Sequence, residues 1–219
     1  MKLWVIDSAL HLPEEQGAEE IRSRWSGESR LLRPVLSGDG PDSSTGYEFD
    51  ALVLMGSAAS VYDTTEWLTS LRDWLRPVLT GEVVRPVLGI CFGHQLIGEM
   101  AGAKVEFLEP SKDKRVGVEL TRFEGSRLLP EATDLRVVVS HREAVVETPE
   151  NYLVTASRPG VQVDGLEHES LPVFSYQFHP EAREEFAGRA GIDESEIDDR
   201  LRADSRLVLD AFLVRAHTA

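Results

Sequence analysis

The sequence predicts an α/β fold in which a parallel sheet, covered on both faces, continues into an antiparallel extension. Three observations predict it. Short apolar runs alternate with amphipathic helical segments through the first half of the chain. Runs such as "FDALVLMG" are apolar at successive positions, the pattern of a strand buried on both faces. The second half is richer in strand-like segments and closes on one long helical pattern.

The elements follow in order. "KLWVID" is a first strand. "PEEQGAEEIRSRWSG" places Pro13 in a first helical turn, with Ala18, Ile21 and Trp25 at helical spacing. "RLLRPVL" is a further strand, and "SGDGPDSSTG" (Ser37–Gly46) is a polar, glycine-rich loop. The strand "FDALVLMG" ends at Gly56. "EWLTSLRDWLRPVL" then sets Trp67, Leu68, Leu71, Trp74, Leu75 and Val78 on one helical face, so its tryptophans read as core. Arg85–Ile90 is the next strand and Phe92–Ala101 a helix, with Gly102 as its stop. "AKVEFL", "RVGVELT", "LRVVVSH", "YLVTAS", "VQVDGLEH" and "PVFSYQFH" are strands. "ESEIDDRLRADSRLVLDAFLVRA" is a helix docking through Ile197, Leu201, Val208 and Phe212.

The length, 219 residues, fits a single domain over 1–219, and 42% hydrophobic residues give it a core. A formal charge of −15 argues against a sequence-independent grip on nucleic acid or an anionic membrane, since either needs a basic patch. The first apolar run is too short for a signal peptide and no later run would span a membrane. The single cysteine forms no internal disulfide, and a lone thiol suits a reducing cytoplasm.

That cysteine, Cys91, lies in Gly89-Ile90-Cys91-Phe92-Gly93, between a buried-type strand and an amphipathic helix. A free cysteine is commonly a small buried hydrophobe. The G-x-nucleophile-x-G form at a strand-to-helix switch favours the other reading, a nucleophile on a sharp turn. The turn crowds the positions two residues away, where only glycine fits. It also sets the sulfur at a helix N-terminus, whose dipole favours the thiolate.

A cysteine nucleophile needs a base and the base an orienting group. His11, His168 and His217 read as solvated, and His94, on the helix after Cys91, as a packing or capping residue. Two strand-end histidines remain, His141 in "VVVSHRE" with Glu143 two residues on, and His179 in "FSYQFHPE" with Glu181 two residues on. Sites in open α/β sheets form beyond the carboxyl ends of strands, so either ring could reach Cys91. Pro180 stiffens the second pair and tilts the pattern toward His179, but leaves both open.

The quoted residues resemble a known family, the class I (triad-type) glutamine amidotransferases. "GICFGHQ" resembles its nucleophile motif and "YQFHPE" its His-x-Glu motif. "LMGSAASVYD" (Met55–Asp63) resembles its oxyanion-hole turn, and "SHRE" takes the place of its substrate-side loop. The sequence is most similar to free-standing members that resemble the glutaminase domain of GMP synthase.

The resemblance implies a three-layer α/β/α sandwich with a mostly parallel mixed sheet. It implies Cys91 as nucleophile, His179 as base and Glu181 as its orienting partner. The backbone N–H groups of Gly56 and Phe92 would hold the oxyanion. Gln95, Ser140, His141 and Arg142 would meet the substrate. The implied chemistry is hydrolysis of a γ-glutamyl amide through a thioester on Cys91, with no metal and no organic cofactor. Little chain follows Glu181, so the ammonia would pass to a separate synthase or simply be released. Two positions depart from the family pattern: Met55-Gly56-Ser57 stands where Gly-Gly-Pro is frequent, and Arg142-Glu143 where Gly and Asp follow Ser-His. Arg142 could meet a substrate carboxylate, which makes a γ-glutamyl peptidase acting on glutathione-like conjugates one alternative. A non-catalytic binding or regulatory module of the same fold is the other.

Overall fold

The computed structural model describes residues 1–218 and forms one nine-stranded mixed sheet between helical layers. Its strands, in chain order, are β1 (Lys2–Ile6), β2 (Glu28–Leu32), β3 (Ala51–Leu54), β4 (Val87–Ile90), β6 (Arg115–Phe123), β7 (Thr133–His141), β9 (Tyr152–Arg158), β10 (Val161–His168) and β11 (Val173–Tyr176). Two short strands, β5 (Val105–Phe107) and β8 (Glu143–Val145), pair only with each other. The helices are α1 (Glu15–Arg22), α2 (Glu66–Leu79), α3 (Phe92–Met100), α4 (Glu184–Ala190) and α5 (Asp199–His217). Among the described residues no helix is long and apolar enough to cross a membrane.

The sheet order is β2-β1-β3-β4-β11-β10-β9-β6-β7. The first five strands are parallel and the remaining pairs antiparallel, as the change of pattern between the two halves predicts. In the parallel half, helices cover both faces. Along β3, Ala51 and Val53 join a cluster with Ala18 and Ile21 of α1 and Val208 and Phe212 of α5. Leu52 and Leu54 join the opposite cluster, with Leu71 and Trp74 of α2 and Leu96 of α3. These two apolar layers are the core, and their separation by the sheet is the three-layer sandwich.

Several expectations are refined. The first helix is shorter than its pattern, and β2 stops at Leu32, two residues before Pro34, which has no N–H for a ladder. "AKVEFL" shrinks to β5 and leaves the main sheet. Neither α4 nor β8 is expected from the sequence. α4 buries only Ala187, so its seven residues carry no apolar stripe. β8 is three residues long, too short to show a period.

The antiparallel extension curls. Edge strand β7 comes back against the segment following β11, where the His179 N–H donates to the Val138 carbonyl at 2.8 Å. This curl brings the Ser140–Glu143 turn beside α3 although β7 and β4 are far apart in the sheet order.

Candidate active site

The carboxyl ends of three adjacent parallel strands meet at one point. β3 runs out into Gly56, β4 into Cys91, and β11, three residues on, into His179. A Cβ placed on Gly56 would lie 2.8 Å from His179 Cε1 and 3.6 Å from Cys91 Cβ, so the three residues share one small volume. This is the place where open α/β sheets form their sites.

Cys91 occupies the N-cap of α3 with φ 51° and ψ −99°, a backbone region that costs a non-glycine residue on the order of 1–3 kcal/mol. Its N–H donates to Tyr176 O at 2.8 Å, which holds the turn against β11. The flanking glycines have the predicted steric reason. A Cβ on Gly89 would lie 2.7 Å from the Gly93 carbonyl oxygen, and one on Gly93 would overlap the Leu54 carbonyl of β3. The thiol itself is not exposed: Cys91 is 5% accessible. Burial and the elbow geometry therefore occur together. Phe92 is the first helical residue, where its N–H has no intrahelical carbonyl to reach.

His179 Nδ1 and Glu181 Oε1 are 2.8 Å apart, and both residues are buried. Nε2 is buried and makes no well-aligned hydrogen bond among the described residues, yet it stands close enough to Cys91 for the two groups to perturb each other. Burial opposes the ring's charge, but the Glu181 carboxylate and then Cys91 outweigh it and push the imidazole up to about 10. The site thus favours an imidazolium beside the sulfur.

His141 is differently placed. Its Nδ1 lies 3.0 Å from the Glu143 carbonyl and its Nε2 2.7 Å from Arg158 Nη2. A guanidinium only donates, so Nε2 is the acceptor and the proton is on Nδ1. Burial, and then the Arg158 charge, push this ring down to about 3. With both nitrogens occupied it has no lone pair for a thiol. His141 is thus engaged at both ring nitrogens, whereas His179 Nε2 has no hydrogen-bond partner among the described residues. Arg158 is in turn held by Asp164 at 3.0 Å, and Asp164 accepts from Thr121 at 2.6 Å.

The other candidates surround this centre. Gln95 Nε2 donates to Glu143 O at 2.6 Å and to Gln177 Oε1 at 3.2 Å, which ties α3 to the Ser140–Glu143 turn. Ser140 Oγ is buried with no partner among the described residues, while Arg142 is exposed. Glu143 accepts from Ser60 at 3.2 Å, joining this turn to the loop after Gly56. His94 is fully buried, with Nδ1 2.9 Å from Ser175 Oγ and Nε2 3.2 Å from Val163 O, so it packs the helix as read from the sequence. His11 and His217 are exposed. His168 is half-buried, contrary to expectation, because its ring lies edge-on to Tyr152 and caps the turn through Nδ1.

Sequence reasoning missed four neighbours. Gln177 Nε2 points at Cys91 Sγ from 3.6 Å. A signal for it existed. In "FSYQFH" the polar Ser175, Gln177 and His179 alternate with Phe174, Tyr176 and Phe178. The aromatic set joins one core layer, while the polar set reaches His94, Cys91 and Glu181. Arg183 is buried, donates to Pro180 O at 3.2 Å and pairs with Glu20 of α1 at 2.7 Å, which clamps the turn carrying His179 and Glu181. Glu14, just before α1, also lies behind this turn. Burial, then the Glu181 charge, push its carboxyl up to about 7.

The buried histidines carry a consequence for stability. Burial holds His94 down to about 4 and His141 to about 3, below the unfolded value of 6.5. Between these values the unfolded chain binds more protons than the folded one. Stability from these rings is thus complete above about pH 6.5 and falls as pH drops toward 4, His94 alone accounting for something on the order of 3 kcal/mol. Glu14 and His179, together with Glu143 and Asp164, are raised in the fold and work in the opposite sense, so above about pH 5 they offset much of the histidine contribution. The urea midpoint is expected to fall between about pH 5 and about pH 4, where the two buried histidines dominate. A midpoint that holds constant or rises over that interval rejects the account.

The chain is similar to known proteins over most of its length. The glutamine amidotransferase class-I family model matches residues 36–197. A glutamine-hydrolyzing GMP synthase subunit from Methanopyrus kandleri is 41% identical over 108 residues, covering 48% of this chain and 55% of that protein. Glutamine-hydrolyzing GMP synthase from Ralstonia pickettii is 33% identical over 153 residues, covering 65% of this chain and 26% of that protein. The chain spans about half the length of the first of these relatives, and less of the second. In fold, a glutamine amidotransferase from Thermotoga maritima superposes with a TM-score of 0.78 over 100% of this chain and 99% of that one, at 16% identity.

Proposed function

The chain belongs to the class-I glutamine amidotransferase family, and from that we propose that it hydrolyses the side-chain amide of glutamine through a γ-glutamyl thioester on Cys91. The observation that carries this reading is the meeting of a strained elbow cysteine with a histidine whose far nitrogen is fixed by a buried carboxylate. The Cys91 thiolate attacks the γ-carbonyl carbon. The oxyanion that forms is stabilised by the N–H groups of Gly56 and Phe92. The imidazolium of His179 gives its proton to the departing nitrogen, ammonia leaves, and the acyl group remains on sulfur. Water then attacks the thioester, losing a proton to His179, and glutamate is released with the thiolate restored. Glu181 orients the ring throughout. Gln95 and the Ser140–His141 backbone border the amino-acid end of the substrate. By likeness to proteins named as one subunit of a glutamine-hydrolyzing GMP synthase, the ammonia passes to a separate synthase chain.

A second reading has one specific observation in its favour. Lys114 stands where burial lowers its pKa, the Cys91 charge raises it and Arg142 lowers it again, so two cations share the field of the sulfur. They suit a γ-glutamyl compound with a further carboxylate. The deciding experiment is release of ammonia or amine by the pure protein, first from glutamine and then from γ-glutamyl dipeptides. Ammonia from glutamine, alone or with a synthase partner and ATP, supports the first reading. Turnover of dipeptides only supports the second. Silence on every substrate in both settings, with Cys91 inert to iodoacetamide, rejects both.

A further inference from the structure

Glu181 uses one oxygen on His179, while its other, Oε2, is buried with no hydrogen-bond partner among the described residues. An unsatisfied buried carboxylate oxygen is costly. Glu14 has the same defect. Its Oε2 faces Arg189 at 3.4 Å, and its Oε1 is likewise buried without a partner among the described residues. Gly17 brings the two side chains together. A Cβ there would lie 2.9 Å from Glu181 Cγ and 3.1 Å from Glu14 Cγ, so both acids occupy the hollow of the missing methyl.

We propose that Glu14 is a positioning residue, a protonated acid that donates a hydrogen bond to Glu181 Oε2, so that the carboxylate holding His179 is half of a carboxyl pair. This rests on the reading of His179 and Glu181 as base and orienting acid. Two carboxylates in one buried hollow do not both ionise. The proton belongs on Glu14 because Glu181 already faces the imidazolium. The groups around Glu14 agree. From the turn after β11 it meets Glu181 and His179. From α4 it meets Glu185, a like charge, and Arg189, a cation at 3.4 Å. From the end of β1, Asp7 accepts the Glu14 N–H at 3.1 Å and is itself neutralised by Arg33 at 3.1 Å. Burial and then Glu181 raise the Glu14 carboxyl toward neutrality. When Glu14 gives its proton to solvent, a second negative charge appears behind His179 and strengthens it as a base. No bond of the substrate is altered.

The test uses the full chain and two readouts that need no turnover. In protein with ¹³C-labelled glutamate carboxyls, the resonance lost in Glu14→Gln is expected to titrate near neutrality. The rate of Cys91 alkylation by iodoacetamide is expected to show an inflection near neutral pH that Glu14→Gln lacks. Gln keeps a donor and Ala does not, so Glu14→Ala is expected to alkylate about tenfold more slowly than Glu14→Gln at low pH, the worth of one hydrogen bond. A Glu14 carboxyl titrating in the ordinary range overturns the proposal. So does a Glu14→Gln alkylation profile superimposable on that of the unaltered protein. A protein that hydrolyses nothing while its Glu14 carbon titrates near neutrality keeps the carboxyl pair and loses only the assigned reaction.

Discussion

Cys91→Ala is expected to abolish hydrolysis of γ-glutamyl amides, by on the order of 10⁴-fold or more, with the fold intact. In the proposed mechanism the sulfur is the atom that bonds to the acyl carbon, and no other thiol exists in the chain. Cys91 is buried, so a small cavity is left. Its cost is expected at about 1 kcal/mol, because only one heavy atom is removed and alanine carries the same strain at positive φ. Melting curves and ammonia release on the same sample decide the matter. A variant that melts normally and still turns over near the original rate would remove Cys91 from the mechanism.

The second large effect separates two histidines with similar sequence surroundings. His179→Asn is expected to lower kcat by about 10³- to 10⁴-fold, since the proton carrier is lost. Glu181→Gln is expected to be milder, because the ring keeps a partner and loses only the charge behind it. His141→Asn is expected to act on stability, by about 1–3 kcal/mol, through a buried Arg158 left short of an acceptor. Its kinetic effect should fall on KM, as the Ser140–Glu143 turn loosens. Were His141→Asn the variant that silenced both turnover and Cys91 alkylation, the base would have been assigned to the wrong strand end.

Much of this was legible because it lay in periodicity. β10 runs over Val161–His168 and α2 over Glu66–Leu79, both over the stretches read as strand and helix, and α2 has a clear apolar face. The elbow was legible because its glycines are a local steric necessity. What could not be read is held by contacts between distant segments. His141 and His179 look alike in sequence and differ through Arg158, which reaches His141 from another strand. The family resemblance implies a substrate-facing Gln95, yet its amide nitrogen is engaged by Glu143 and Gln177 through the curl of the antiparallel half. Glu14 and Glu20 belong to the back of the site only because α1 packs beneath the turn that Arg183 clamps.

The position of β11 governs when Cys91 meets His179. This strand comes late in the chain yet lies between β4 and β10, in the middle of the sheet. Its register with β4, Tyr176 opposite Ile90, sets the histidine segment beside the thiol. A ribosome adds residues in order, and such long-range pairing is the slow part of folding. A nascent chain that has reached β10 therefore lacks both the histidine proposed as base and the Tyr176 carbonyl that holds the elbow, and leaves an open slot where β11 will insert. The thiol stays without its partner until that slot is filled. Reactivity of Cys91 is thus a direct reporter of completed sheet assembly, and a chain stalled before Val173 exposes two unpaired strand edges at the centre of its future core.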